Sequence, residues 1–347
     1  MCSSDLKPAS VRRAFNYFFR KKLTLRKALG DEGELISAPL PSRNFFYNIA
    51  VPPYEDNVEK GLAVLRIYRY FGLDLYESGK KVFLGSDPSK SEEELKQGDQ
   101  ILKIEEKNIG SLEDFLSVFE SSKETVFRVT IARGNRVLVK RIKTHSSPNV
   151  GILNSVSVLG GKVAGFPELT LIANNPEGKD PMIKEICGAL KEDLEKIGIL
   201  VKIDYLDSKT YYPRLQNGEF DIAYRTVKLT GTPNLYRMFY KDVKKEGLDN
   251  ANYGDYNNER INEIAWSTRN ITEVSILKTA WSKAHEILHQ DPPYLFLWSR
   301  RHILMHDPRV TTVAPGPEYE VPYGYTEING LINIFNEVHL WAFVDKK

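Results

Sequence analysis

An α/β protein interrupted by a small, mostly β unit is the fold class that the sequence predicts, and three observations predict it. From residue 168 onward strand-like and helix-like periods alternate, the pattern of a layered sheet. Before residue 69 two helical periods frame a Pro-rich stretch, and between 70 and 145 the texture changes to short strand-like runs around one helix. At 347 residues the chain suits two or three domains.

Val11, Ala14, Phe15, Phe18, Phe19, Leu23 and Leu25 recur at largely helical spacing, with Arg12, Arg13, Arg20, Lys21, Lys22, Arg26 and Lys27 between them. This predicts one basic amphipathic helix over 11–29 with its cationic face in solvent. Pro39, Pro41, Pro52 and Pro53 withdraw amide donors and fix backbone angles, which predicts an extended crossing over 37–53. Val58, Leu62, Leu65 and Tyr68 restore a helical period.

In the middle unit FGLDLYES, KKVFLGS, DQILKIEEKNI, TVFRVTIAR and RVLVKRIKT read as strands, the last two around a turn at Gly134-Asn135. SLEDFLSVFESS is its helix, with Leu112, Phe115, Leu116 and Phe119 on one face, and SSPNVG reads as a linker. Strand ELTLIAN then precedes a helix opened by Asp180 as cap with Pro181 at its first position and closed by Gly198. Strand LVKIDYL, helix KTYYPRLQNG, strand FDIAYRTV and helices NERINEIAWSTR and EVSILKTAWSKAHEILHQ follow. The tail through INIFNEVHLWAF is strand-like, with apolar residues that need another surface to cover them.

Composition excludes several classes. With 48 basic and 46 acidic residues the net charge is +2, so no global field calls for nucleic acid. Two cysteines are too few for a disulfide framework, and no apolar run approaches a membrane span.

Two family resemblances carry the functional reading. Val11-Arg12-Arg13-Ala14-Phe15-Asn16-Tyr17, Pro39-Leu40-Pro41 and Glu55 to Leu65 resemble the opening of the second lobe of extracellular solute-binding proteins that serve peptide importers of the ATP-binding-cassette class. The resemblance resumes at Glu168-Leu169-Thr170-Leu171, Leu194 to Ile199, Leu215 to Asp221, Asn252-Tyr253, Tyr256 to Asn258, Ala284 to Leu288, Asp291-Pro292-Pro293 and Trp298. Residues 70–145 resemble a PDZ domain: Phe71-Gly72-Leu73-Asp74-Leu75 stands at its carboxylate-binding loop, and Leu95-Lys96-Gln97-Gly98-Asp99-Gln100-Ile101-Leu102 at its most recognisable stretch. Ser91-Glu92-Glu93-Glu94 departs from the small residues usual there.

The first resemblance implies a two-lobed, flytrap-type binding protein, of which this chain would be a C-terminal part. Residues 1–69 would begin the second lobe, 146–300 complete it, and 301–347 cross to the other lobe, with the PDZ-like unit inserted at 70–145. It implies a periplasmic or cell-surface location, a peptide or peptide-like ligand captured by lobe closure, an ATP-driven permease as partner, no catalysis and no cofactor. The implied ligand-facing residues are Arg225, Thr226, Lys228 and Thr230 after the strand at Asp221, Asn252 and Tyr253 in a loop, and Trp298 and Arg300 at the recrossing, with Tyr323 and Tyr325 as further walls. Thr230-Gly231-Thr232-Pro233 replaces the acid that often meets a peptide's amino end, so Arg225 and Lys228 are candidates for a ligand carboxylate instead. The second resemblance implies a groove for a protein C-terminus. In the groove that begins at Phe71 the backbone amides of Gly72 and Leu73 would take the carboxylate, Leu75 would pair with the incoming strand, and Leu112 and Leu116 would flank the side-chain pocket.

Two alternatives stand beside this reading. His285-Glu286-Ile287-Leu288-His289 matches H-E-x-x-H, in which paired histidines hold zinc and the glutamate activates water. Against it, Leu295 occupies the third-ligand spacing, and a buried stripe of Leu277, Ala280, Ala284, Ile287 and Leu288 leaves both histidines at its edge. The other alternative is an interaction scaffold in which the PDZ-like unit is the active part.

Overall fold

The structure, a computed structural model, describes residues 6, 8–30, 32–42, 44–85, 95–121, 125–143, 157–159, 161–227, 233–241 and 252–300, with the short strands at 310–312 and 341–343. Ser91 to Glu94, Lys228, Thr230, Tyr323 and Tyr325 lie outside the described residues.

Where one amphipathic helix is predicted the chain forms two, α1 (Ala9–Phe18) and α2 (Lys21–Leu29), parted by extended backbone at Phe19. The break is a tertiary effect. Asp193 accepts from the Arg20 amide at 3.0 Å and from its Nε at 2.6 Å, and Asp56 accepts from the Lys21 amide at 3.2 Å. The predicted solvated cationic face is likewise corrected, because Arg12, Arg13 and Lys21 are buried. Each finds partners inside: Arg12 donates to Pro292 O at 2.7 Å and pairs with Asp291, while Lys21 Nζ donates to Asn16 Oδ1 at 2.7 Å. A buried cation is tolerated where such acceptors are fixed.

The helix α3 (Val58–Phe71) opens on the Asn57 side chain, which accepts from Lys60 N, and ends at Gly72 in the left-handed region. It lies tightly on α1: a Cβ at Gly61 would sit 2.4 Å from Phe18 Cε1 and 3.1 Å from Ala14 O. The strand β1 (Gly33–Leu35) precedes α3 in the chain.

The middle unit contains β2 (Leu75–Glu77), β3 (Val82–Leu84), β4 (Gln100–Ile104), β5 (Lys107–Asn108), α4 (Leu112–Glu120), β6 (Val126–Arg133) and β7 (Arg136–Lys143). Its antiparallel sheet runs β2-β3-β4-β6-β7, with β5 on β4, and shares no strand with the parallel sheet described below. Gly98 turns with φ +85° and donates to Leu84 O at 2.8 Å. Asp99 beside it is 1% exposed, accepts from Lys96 N at 2.9 Å and from Arg133 Nε at 2.7 Å. Burial opposes the Asp99 charge, but Arg133 and the Lys96 amide outweigh it and hold the carboxyl below its ordinary range. The Gly-Asp pair thus ties the β3–β4 connection to the end of β6.

After the hairpin β8 (Ser157–Leu159) and β9 (Lys162–Ala164) come β10 (Leu169–Asn174), α5 (Pro181–Lys196), β11 (Val201–Leu206), α6 (Ser208–Asn217) and β12 (Ile222–Tyr224). Asp180 caps α5 by accepting from Met182 N at 2.9 Å and Ile183 N at 3.2 Å, with Pro181 at the first position as the sequence predicts. The parallel sheet has the order β11-β10-β12. Three helices follow, α7 (Leu235–Phe239), α8 (Glu259–Thr268) and α9 (Val274–Gln290), then β13 (Trp298–Arg300) antiparallel to β1, and β14 (Val310–Thr312) antiparallel to β15 (Trp341–Phe343).

The main core is continuous across the middle unit and its surroundings. Val11, Phe15 and Phe18 of α1, Leu65 of α3, Leu75 and Val129 of the antiparallel sheet, and Leu171 and Leu194 of the parallel layer belong to one buried cluster. A second cluster joins Leu40, Phe239, Ile261, Trp281 and Leu288. Within α9 the buried stripe includes Trp281, whose Nε1 donates to Pro233 O at 3.2 Å, and His285, in place of the predicted Ala280.

Candidate functional site

In open α/β sheets ligands bind beyond the carboxyl ends of the strands, where neighbouring connections diverge. Here β10 is the central strand: the chain leaving it crosses by α5 to β11 on one side, and returns by α6 to β12 on the other. The divergence therefore lies at the carboxyl ends of β10 and β12. Asp221 sets the register of β12, its carboxylate accepting from Thr170 N at 2.7 Å and its amide donating to Thr170 O at 3.1 Å.

Arg225 and Thr226 emerge there directly after β12. The Arg225 guanidinium carbon lies 4.5 Å from the centroid of the Tyr253 ring, a cation–π contact that fixes a long side chain. Tyr253 is buried with Ile172, Tyr211 and Leu215, and the Tyr211 hydroxyl donates to Tyr224 O at 2.7 Å. Burial pushes the phenols of Tyr211 and Tyr294 up, and the nearby Arg225 charge opposes both shifts. Tyr211 and Tyr294 therefore stay neutral at physiological pH and, with Tyr253, form polar-tipped walls around one cation. Tyr211 and Tyr294 are not singled out by the sequence reading. A Tyr pair after a capping Asp207, and a Tyr after Asp-Pro-Pro, are signals only once the fold brings both to Arg225.

The remaining predicted residues go elsewhere. Asn252 is 2% exposed and fully engaged: its Nδ2 donates to Tyr240 O and Tyr256 O, both at 3.1 Å, and its Oδ1 accepts from Tyr256 N at 2.9 Å. Its expected ligand contact is corrected to a loop brace. Trp298 and Arg300 lie on β13 against β1, on a different sheet from β12, and Arg300 is exposed, 3.8 Å from Glu32.

In the middle unit Phe71, Leu73, Leu75, Leu112 and Leu116 belong to one buried core. The roles expected of Gly72 and Leu75 are corrected. The Gly72 amide donates to Tyr68 O at 2.9 Å as the cap of α3, so it does not wait for a carboxylate. Arg13 Nη2 donates to Leu75 O at 3.2 Å and pairs with Asp74, whose carboxylate also accepts from Ser10 Oγ at 2.5 Å. The β2 edge that an added strand would use is thus occupied by α1 at Leu75.

Of the H-E-x-x-H histidines, His285 lies within the buried stripe and His289 at its half-buried edge, and both are occupied. His285 is 1% exposed; Asn48 N donates to its Nδ1 at 3.2 Å, so the ring proton sits on Nε2 and goes to Ser37 Oγ at 2.8 Å. Ser37 Oγ passes its own proton to Val51 O at 2.6 Å. His289 stacks on Tyr54 with centroids 4.3 Å apart and bonds the Pro52 backbone. Burial, with each ring's cationic or imidazole neighbours, pulls both histidines down to about 4. Among the described residues no group of three His, Cys, Asp or Glu side chains is placed to hold a metal ion.

No family model matches the chain. Over 142 residues it is 24% identical to the probable D,D-dipeptide-binding periplasmic protein DdpA of Escherichia coli, a stretch covering 41% of this chain and 27% of that one. The oligopeptide-binding protein AppA of Bacillus subtilis, solved with a nonapeptide, superposes with a TM-score of 0.52 at 15% identity over 98% of this chain and 48% of its own. NikZ of Campylobacter jejuni, solved with Ni(L-His), superposes with a TM-score of 0.50 at 15% identity over 86% of this chain and 44% of its own. The oligopeptide-binding protein of Thermus thermophilus, solved with a pentapeptide, does so with a TM-score of 0.50 at 13% identity over 85% and 38%. The chain spans less than half the length of each of these relatives. DdpA, AppA and the Thermus thermophilus protein are peptide-binding proteins by name, and among the described residues no helix is long and apolar enough to cross a membrane. The chain has the mixed α/β fold of periplasmic binding proteins, and in sequence it is similar to a peptide-binding member of that group.

Proposed function

We propose that this chain supplies the ligand-binding lobe of a periplasmic or cell-surface peptide-type solute-binding protein that delivers its cargo to an ATP-driven permease. Residues 1–69 and 146–300 form the lobe, 301–347 belong to crossing strands, and 70–145 form a PDZ-like insert. The observation that carries the reading is the placement of Arg225 on Tyr253 at the carboxyl ends of β10 and β12, the binding position of this sheet class. Arg225 takes the ligand carboxylate, Tyr211, Tyr253 and Tyr294 line its approach, and Thr226, Lys228 and Thr230 offer backbone to an extended ligand. Lobe closure completes the site. The insert serves as a brace in this reading, because α1 fills the strand edge at Leu75.

Calorimetric titration of the purified chain with a pool of short peptides tests the proposal. Free-carboxylate peptides bind and their amidated forms bind more weakly. Arg225→Ala lowers affinity roughly tenfold or more, since a charge-assisted hydrogen bond contributes about 1.5–3 kcal/mol. Equal binding of both peptide forms by wild type and Arg225→Ala refutes the assignment.

A further inference from the structure

The far side of the antiparallel sheet carries a second feature, unrelated to the β2 edge. Among the described residues β7 is the last strand, eight residues long and paired only on its β6 side. Its register is fixed by the two-residue turn at Gly134-Asn135, with Arg133 opposite Arg136, Thr130 opposite Val139 and Arg128 opposite Arg141. In a hairpin closed by two residues the pair flanking the turn exchanges both hydrogen bonds, and the next pair exchanges none. Arg136, Leu138, Lys140 and Ile142 therefore spend their amides and carbonyls on β6, whereas those of Val137, Val139, Arg141 and Lys143 point to the outer edge. Arg128 agrees, being a non-bonded partner of Arg141: its amide and carbonyl bond Glu105 on the other side, at 2.5 and 2.8 Å.

The same four residues are exposed, as is Arg136 beside the turn. Val137 and Val139 are 66% and 64% exposed, and Arg141 and Lys143 are exposed and make no ion pair among the described residues. One edge thus presents backbone donors and acceptors, two apolar positions and two cationic positions at the same period of two. We propose that this edge docks an acidic, extended segment of a partner protein by antiparallel strand addition. The segment places two acidic residues opposite Lys143 and Arg141, then two apolar residues opposite Val139 and Val137, at alternate positions. A second copy of the chain is disfavoured, since pairing the full length of β7 with itself sets Val137 opposite Lys143 and Val139 opposite Arg141, which matches neither the apolar nor the cationic positions. Two valines offer a lipid surface little apolar area, while the free ladder groups have no counterpart in a membrane.

The probe is the blocked peptide Glu-Thr-Glu-Thr-Val-Thr-Val-Thr, with Lys-Thr-Lys-Thr-Val-Thr-Val-Thr as its charge-reversed control, titrated into the full chain by fluorescence anisotropy at low and high salt. The expected result is saturable binding of the acidic peptide that weakens with salt, and at least tenfold weaker binding of the basic one. Arg141→Glu/Lys143→Glu reverses that preference without touching the backbone. Val139→Pro removes an outer amide but no β6 hydrogen bond, and lowers affinity tenfold or more with the melting transition retained. If the proline variant does not fold, the charge-swap pair decides alone. The proposal is overturned by no binding of the acidic peptide, by equal binding of both peptides, by an unchanged preference in the charge-swapped variant, by binding to phosphatidylserine vesicles in place of peptide, or by self-association that the charge swap abolishes.

Discussion

Arg13→Ala is the perturbation that best probes how the lobe and its insert hold together. The side chain is 2% exposed, and it pairs with Asp74 while donating to Leu75 O on the insert and Gln290 O at the end of α9. Removing it leaves the Asp74 carboxylate, 5% exposed, with Ser10 Oγ as its remaining side-chain partner, and strips a donor from two carbonyls. Breaking a buried pair from one side costs about 3–5 kcal/mol, a large share of the roughly 5–15 kcal/mol that stabilises a typical domain. Urea unfolding followed by tryptophan fluorescence and circular dichroism measures it. Wild type unfolds in one transition, because α1, α3 and the antiparallel sheet share one core. Arg13→Ala lowers stability by the stated amount. Asp74→Asn costs much less in the Arg13→Ala background than in wild type, since the orphaned charge is then gone. A loss below about 1 kcal/mol for Arg13→Ala, or full additivity in the double variant, refutes the reasoning.

Two further outcomes concern buried titratable groups. His285 is held at about 4 against an ordinary 6.5, so the unfolded chain binds the extra proton between these values and stability falls as pH drops through that window. The loss amounts to about 3 kcal/mol for this residue, and His289 adds a comparable one; thermal melts from pH 7 to 4 should show both, His285→Gln should remove about half of the slope, and added zinc should leave both profiles unchanged. Lys21, held at about 7 by burial, works in the opposite range: the unfolded chain keeps its proton up to about 10.5, so wild-type stability rises from pH 7 toward 10. Lys21→Met removes that rise, and an identical pH profile in the variant contradicts the assigned burial.

What the sequence discloses is what local chemistry determines. Asp180-Pro181 opens α5, Gly134-Asn135 turns β6 into β7, and Gly98-Asp99 marks the β3–β4 connection, because each signal and its consequence lie within a few residues. The errors are of another kind. Nothing near Phe19 breaks a helix; the acceptor that parts α1 from α2 is Asp193, 173 residues from Arg20. Arg12 reads as solvated because its acceptor, Pro292 O, is 280 residues away. In the candidate site Arg225 is singled out through the family resemblance, at the end of the strand-like run FDIAYRTV, whereas Tyr294 joins it only through the fold. Asn252 is expected at the ligand only through the family resemblance, and its amide is consumed by Tyr240 and Tyr256.

Hydrogen exchange of the full chain, with and without a saturating short peptide, tests both halves of the account at once. Binding should slow exchange at 225–227 beyond β12 and at the end of β10 near Asn174, and leave Leu75–Glu77 and α4 as they were. Protection gained along β2 and α4 with no change beyond β12 would place the ligand in the insert, and would contradict the claim that the lobe binds while the insert braces it.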